Sequence, residues 1–143
     1  MSSTKTRLFL VDDDILFLKS LELEFLEKGN YEIITFNTGE VCIEALILDP
    51  DIIVLDYHLD GIIKGAMNGL ETLDKIKQYN KNLTVIMLSS QDKIEIAVNC
   101  MHHKAYDYVV KSETAFLRLE KNITQILAQQ KTENEVKWYM DRM

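Results

Sequence analysis

Chain breakers are scarce: proline occurs once in 143 residues and glycine five times. No Pro- or Gly-rich linker and no internal repeat is visible, so nothing divides the chain before its C-terminal stretch. The only cysteines, Cys42 and Cys100, make neither a metal nor a disulfide pattern. They are read as buried thiols of a reducing cytoplasm. No uninterrupted apolar run approaches the ~20 residues of a membrane span. The first residues, Met1 to Arg7, lack the shape of a signal peptide, so a cytoplasmic location is expected. Positive charge is also short, with 16 Lys and Arg against 23 Asp and Glu and a net charge of -7. That balance disfavours nucleic acid and anionic membrane as partners. What remains is a chain 47% hydrophobic, enough for one globular domain with a real core.

The most informative stretch is Ile52-Ile53-Val54-Leu55-Asp56. Four apolar residues, mostly β-branched, predict a strand buried on both faces that ends in an aspartate. Similar runs predict strands over 7–11, 31–36, 83–88 and 106–110. Helices are predicted between and after them. Asp14 caps the first, whose Ile15, Leu16, Leu18, Leu21, Leu23, Phe25 and Leu26 fall largely on one side before Gly29 stops it. The second opens at Thr38, is apolar nearly all round and ends before Pro50; that girth hints at an extra contact surface, though a deep core position is the expectation. Asn68 caps the third, carrying Leu70, Leu73, Ile76 and Tyr79. The fourth runs from about Gln91 to Met101, and the fifth starts near Ser112. Five alternating strands and helices mean βαβ units. The expected class is α/β, a flavodoxin-like doubly wound five-stranded parallel sheet of order 2-1-3-4-5 with helices on both faces.

In such a sheet every strand ends on the same edge. Asp12 and Asp13 close the first strand, Asp56 the third, Ser89 the fourth and Lys111 the fifth. Three carboxylates so close need a cation or must retain a proton. Hard oxygen donors on an open, solvated edge suit Mg²⁺. A carboxylate nucleophile, a cation, a lysine and a hydroxyl are together what a phosphoryl group requires.

Five segments carry a resemblance: Val11-Asp12-Asp13-Asp14, Leu55-Asp56, Met67-Asn68-Gly69-Leu70-Glu71, Val85 to Ser90 and Tyr106 to Lys111. Each alone is weak. Together, in order and at strand ends or loops, they resemble the response regulator receiver domain of two-component signal transduction, over residues 6–128. The resemblance implies that Asp56 is the phosphoacceptor and that Asp12 and Asp13 hold Mg²⁺ with Asp56, the main-chain carbonyl of His58 being a further ligand. It implies that Ser89 and Lys111 bind the phosphoryl oxygens and that Tyr108 is the aromatic switch. The phosphoryl donor would be a sensor histidine kinase or a phosphotransfer protein. The face of the fourth helix, fifth strand and fifth helix would control an output protein or pair with a second copy.

The chain departs from the family in places. Asp60 stands where a proline is usual, and Gly69 lies thirteen positions after Asp56 rather than eight, so the loop carries about five extra residues within 61–66. The exposed Ile62 and Ile63 either dock a partner or cover the pocket, or the insertion is simply tolerated. Ser112 replaces the family's cis-proline after Lys111, which puts the cis bond in doubt. His58 and Gln91 flank the path of attacking water, with His58 either a general base or a solvated loop histidine. Adjacent His102 and His103 do not share a helix face and are expected on the surface.

Rival readings are a degenerate receiver serving as a binding scaffold, a Mg²⁺-dependent phosphatase with an aspartyl nucleophile, and a nucleotide or flavin module. The chain has no glycine-rich loop after its first strand. Phosphatases of that kind carry an acid two positions after the nucleophile, where this chain has His58. Residues 129–143 form a helical extension bearing Val136, Trp138, Tyr139 and Met140. Its alternatives are a dimer contact, a lead into an output domain, a fold-back or a frayed end.

Overall fold

The computed structural model describes residues 5–143. Five strands, β1 (Thr6–Val11), β2 (Tyr31–Phe36), β3 (Ile52–Asp56), β4 (Thr84–Ser89) and β5 (Asp107–Val110), form one sheet of order β2-β1-β3-β4-β5. Every pairing is parallel. Helices α1 (Ile15–Lys28), α2 (Gly39–Glu44), α3 (Gly69–Tyr79), α4 (Ile94–His102) and α5 (Ala115–Asp141) alternate with them. The expected fold class and strand order are therefore those observed.

The period-2 alternation of the strands sorts the core into two layers. Phe9, Val11, Ile53, Leu55, Val85 and Met87 face α2, α3 and α4, meeting Cys42, Leu73, Ile76 and Cys100. Leu8, Leu10, Ile52, Val54, Ile86, Leu88 and Val109 face α1 and α5, meeting Leu18, Leu21, Phe25, Leu119, Ile123 and Ile126. Both faces of β3 are buried throughout, which is why its sequence is a continuous apolar run. Burial pushes the Cys42 thiol up to about 12 and Cys100 to about 11, so both stay protonated.

Local signals account for the helix ends. Asp14 accepts from the Phe17 N–H and Gly29 closes α1 at φ 79°. Asn68 and Glu71 form a reciprocal capping box on α3. In the helix interiors the apolar pattern overstated burial. Of the seven apolar residues expected on one side of α1, only Leu18, Leu21 and Phe25 are buried; Ile15, Leu16, Leu23 and Leu26 are exposed. The buried three fit within about one sixth of a turn, and the other four share an arc of about 100° that lies roughly a quarter to a half turn away. The second helix is not a deep core element. It breaks after Glu44 into a short 3-10 turn, Leu46–Leu48, and leaves Val41, Ile47 and Leu48 exposed while Cys42 and Leu46 are buried.

Two helices begin three residues later than the sequence predicts. Residues 91–93 stay outside α4 because Gln91 is held on both sides: its N–H donates to Ser89 Oγ at 3.1 Å and its carbonyl accepts from the Tyr108 hydroxyl. Residues 112–114 form a turn closed by Ala115 N–H on the Ser112 carbonyl, so α5 starts at Ala115. From there α5 runs unbroken to Asp141. Asn122 fixes its base by donating to Asp107 Oδ2 at 2.8 Å, while Asp107 Oδ1 accepts from the Tyr108 N–H.

At Gly69 the backbone leaves no room for a side chain. A Cβ there would stand 2.3 Å from the Asp56 carbonyl oxygen and 2.6 Å from Tyr57 Cα, both backbone atoms. Gly61 has only Asp13 Oδ2 at 3.5 Å. Urea denaturation is expected to show Gly69→Ala losing about 1–3 kcal/mol, the usual cost of overpacking, and Gly61→Ala staying within about 0.5 kcal/mol of the wild type.

Candidate functional site

The carboxyl edge of the sheet gathers side chains from four strands. Asp12 follows β1 and donates its N–H to the Phe36 carbonyl at 3.0 Å, which seats it beside β2. Asp56 ends β3, paired in register with Leu88 of β4. Lys111 follows β5 and donates its N–H to the Ser89 carbonyl at 2.8 Å, tying it to the end of β4. The parallel register thus makes neighbours of groups far apart in sequence.

Asp12, Asp13 and Asp56 each offer a carboxylate oxygen, and these lie within 4.8 Å of one another. Lys111 Nζ reaches them, 2.8 Å from Asp12 Oδ2 and 3.5 Å from Asp56 Oδ1. Asp12 and Asp56 are almost wholly buried, Asp13 partly so. Asp12 Oδ1 accepts from the Asp14 N–H at 2.9 Å. Asp13 Oδ2 is buried without a hydrogen-bond partner among the described residues. Asp60 is exposed and stands outside the group.

One ammonium does not satisfy three carboxylates. Burial, the Asp12 charge and a hydrogen bond with Asp12 hold the Asp56 carboxyl up to about 8, against the opposing pull of Lys111 and a backbone hydrogen bond at His58. Burial works to lower Lys111, but its hydrogen bonds and charge contacts with Asp12 and Asp56 prevail and raise it. Hard oxygens, one orphaned acceptor and a carboxyl that keeps its proton in the absence of a cation form a donor set that fits Mg²⁺.

The remaining residues stand around this centre. Ser89 is fully buried; its Oγ accepts from the Gln91 N–H, which leaves the hydroxyl proton free to be donated. Tyr108 is buried at 9% exposure, with its hydroxyl on the Gln91 carbonyl. Its ring therefore already sits inward. His58 is half-buried, its ring edge-on to Tyr57 at 4.8 Å and its Nε2 unpartnered among the described residues. His102 is exposed, and His103 Nδ1 lies 2.7 Å from Asp74 Oδ1 on α3. Lys111 reaches the centre although no peptide bond among the described residues is cis. Sequence reasoning missed Phe17, whose ring lies 4.7 Å from Lys111 Nζ. An aromatic four residues after Asp13, one helical turn into α1, was its only signal.

The response regulator receiver domain family matches residues 8–130. A protein-glutamate methylesterase/protein-glutamine glutaminase from Clostridium acetobutylicum is 29% identical over 78% of this chain and 32% of its own length. The transcriptional regulatory protein ZraR from Klebsiella oxytoca is 28% identical over 90% of this chain and 28% of its own. The chain thus spans about a third of the length of these curated relatives. Among solved structures, NtrX from Brucella abortus superposes with a TM-score of 0.80 at 28% identity, covering 97% of this chain and 31% of NtrX. A chain of the CheX–CheY–BeF3–Mg²⁺ complex from Borrelia burgdorferi does so with a TM-score of 0.73 at 25% identity, covering 85% and 89%.

The Asp56 carboxyl sets a pH dependence. Its folded value of about 8 lies above its ordinary 3.8, so the native state binds this proton more tightly than the unfolded chain does. Its stabilising contribution is complete below pH 3.8 and is lost as pH rises through about 8. In EDTA, Asp56→Asn is expected to gain stability over the wild type as pH rises from about 6 to about 9 in urea denaturation. Adding Mg²⁺ should narrow that gap. A gap indifferent to both pH and Mg²⁺ would refute a shared proton at Asp56.

Proposed function

The chain belongs to the response regulator receiver domain family, and on that premise we propose that it accepts a phosphoryl group on Asp56 and so switches the face formed by α4, β5 and α5. The observation that carries this reading is the meeting of Asp12, Asp13, Asp56 and Lys111 at one sheet edge, with Lys111 Nζ within 3.5 Å of both Asp12 and Asp56. Asp12, Asp13 and Asp56, with the main-chain carbonyl of His58, would hold Mg²⁺. When bound, the ion supplies neutralisation of the phosphoryl oxygens and keeps Asp56 ionised.

The donor is a sensor histidine kinase or a phosphotransfer protein. An Asp56 oxygen attacks the phosphorus in line, the P–N bond breaks, and its electron pair returns to the donor imidazole. Lys111 holds one equatorial oxygen with its ammonium, and Ser89 donates its free hydroxyl proton to another. Phe17 keeps Lys111 aimed inward by offering its ring face to the ammonium.

Ser89 and Tyr108 are the switch, and Gln91 couples them. A phosphoryl oxygen that draws Ser89 toward Asp56 pulls on the Gln91 N–H, and Gln91 in turn carries the acceptor of the Tyr108 hydroxyl. Because Tyr108 is already inward, phosphorylation biases an equilibrium in which the inward ring is present beforehand. The readout is an altered affinity for an output protein or for a second copy. The receiver comprises 6–128 and the helical extension 129–143; the site is cytoplasmic, and the chain's catalysis is confined to its own phosphorylation and dephosphorylation. A phosphatase is disfavoured by His58 at the position of the second acid, and a degenerate scaffold by the completeness of the constellation.

With acetyl phosphate and Mg²⁺, intact-mass measurement is expected to show one phosphoryl group on the wild type and none on Asp56→Asn. Lys111→Ala should slow the reaction on the order of a hundredfold, the scale for losing one charge-stabilising donor. Undiminished labelling of Asp56→Asn would sink the assignment.

A further inference from the structure

The last turns of α5 carry an apolar strip that no part of the chain covers among the described residues. Leu119, Asn122, Ile123 and Ile126 mark the side of α5 turned to the core. Extended past residue 128, that side meets Gln130, Glu133 and Lys137, all polar. Val136, Tyr139, Met140 and Met143 lie instead on a strip about a quarter turn away. They are 56%, 69%, 66% and 96% exposed. The i, i+3, i+4, i+7 spacing is that of a helix face built to bury itself against another helix. Arg142 N–H on the Tyr139 carbonyl and Met143 N–H on the Met140 carbonyl carry the strip through the closing turn.

Charge identifies the occupant. Glu135 and Arg142 flank the strip on the same side, two turns apart, about 10 Å along the axis. They cannot reach each other, and neither has an ion-pair partner among the described residues. The Arg142 guanidinium stacks on the Trp138 ring at 4.1 Å; stacking occupies its face and leaves its in-plane N–H donors free. Around a two-fold axis between Lys137 and Trp138, a second copy running the opposite way sets Val136 against Tyr139 and Thr132 against Met143. It also sets Glu135 beside Arg142, each contact occurring twice. Parallel copies would instead oppose Glu135 to Met140 and gain no ion pair.

We propose that residues 132–143 pair with the same segment of a second copy as a short antiparallel helix pair. The proposal is independent of the role given to Asp56. The contact is small, so the dimer is weak and forms at high local concentration.

Sedimentation equilibrium of the intact chain, from micromolar to millimolar concentration, is expected to show a monomer–dimer equilibrium. Tyr139→Glu should leave monomer alone, with unchanged helix content by circular dichroism. Glu135→Arg and Arg142→Glu should each weaken the dimer by about tenfold by opposing like charges, and the double reversal should restore wild-type affinity. Three outcomes would overturn the proposal. One is a wild type that stays monomeric at millimolar concentration. Another is a Tyr139→Glu chain that dimerises as well as the wild type. The third is a double reversal no tighter than either single change.

Discussion

A single ammonium group set among three carboxylates governs the rest of this molecule. At an effective dielectric near a protein surface, two like unit charges 4 Å apart repel by about 4 kcal/mol. Lys111 can offset part of that repulsion for Asp12 and Asp56, but Asp13 Oδ2 is left unanswered and Asp56 resolves the conflict by keeping its proton. The edge is thus built under electrostatic tension that a divalent cation relieves. Its chemistry follows from the surplus of negative charge rather than from any one residue.

Such a cluster persists only where the backbone prevents it from relaxing. The parallel register provides that restraint, since Asp12 and Asp56 continue strands whose preceding residues are buried on both faces. The turns are pinned as well. Tyr57 N–H donates to the Leu88 carbonyl at 2.8 Å and Gly69 N–H to the Tyr57 carbonyl at 3.0 Å, which draws the start of α3 against the end of β3. The long loop between them has its ends fixed, and its residues 61–65 are exposed to solvent.

How much of this could be read beforehand follows from which forces are local. β3 and β4 were legible because strands buried on both faces admit only apolar residues. The helix caps at Asp14 and Asn68 were legible because capping depends on residues within one turn. The convergence of Asp12, Asp56 and Lys111 followed from topology together with the family resemblance. Burial on α1 and α2 was not legible, because Leu16, Leu23 and Val41 are apolar without being covered. The start of α4 was hidden because Gln91 is detained by Tyr108, a residue from another strand. Phe17 went unnoticed for the same reason: its partner Lys111 is distant in sequence.

The continuous α5 also acts as a lever arm. Its base is anchored where Asn122 grips Asp107, next to the backbone of Tyr108. From Asn122 to Met143 the helical rise is about 32 Å. By simple trigonometry a tilt of about 5° at the anchor therefore sweeps the tip through about 3 Å. That is roughly the width of an atom, enough to open or close a van der Waals contact. Rotations too small to disturb the sheet are in this way magnified into displacements that a neighbouring molecule can feel.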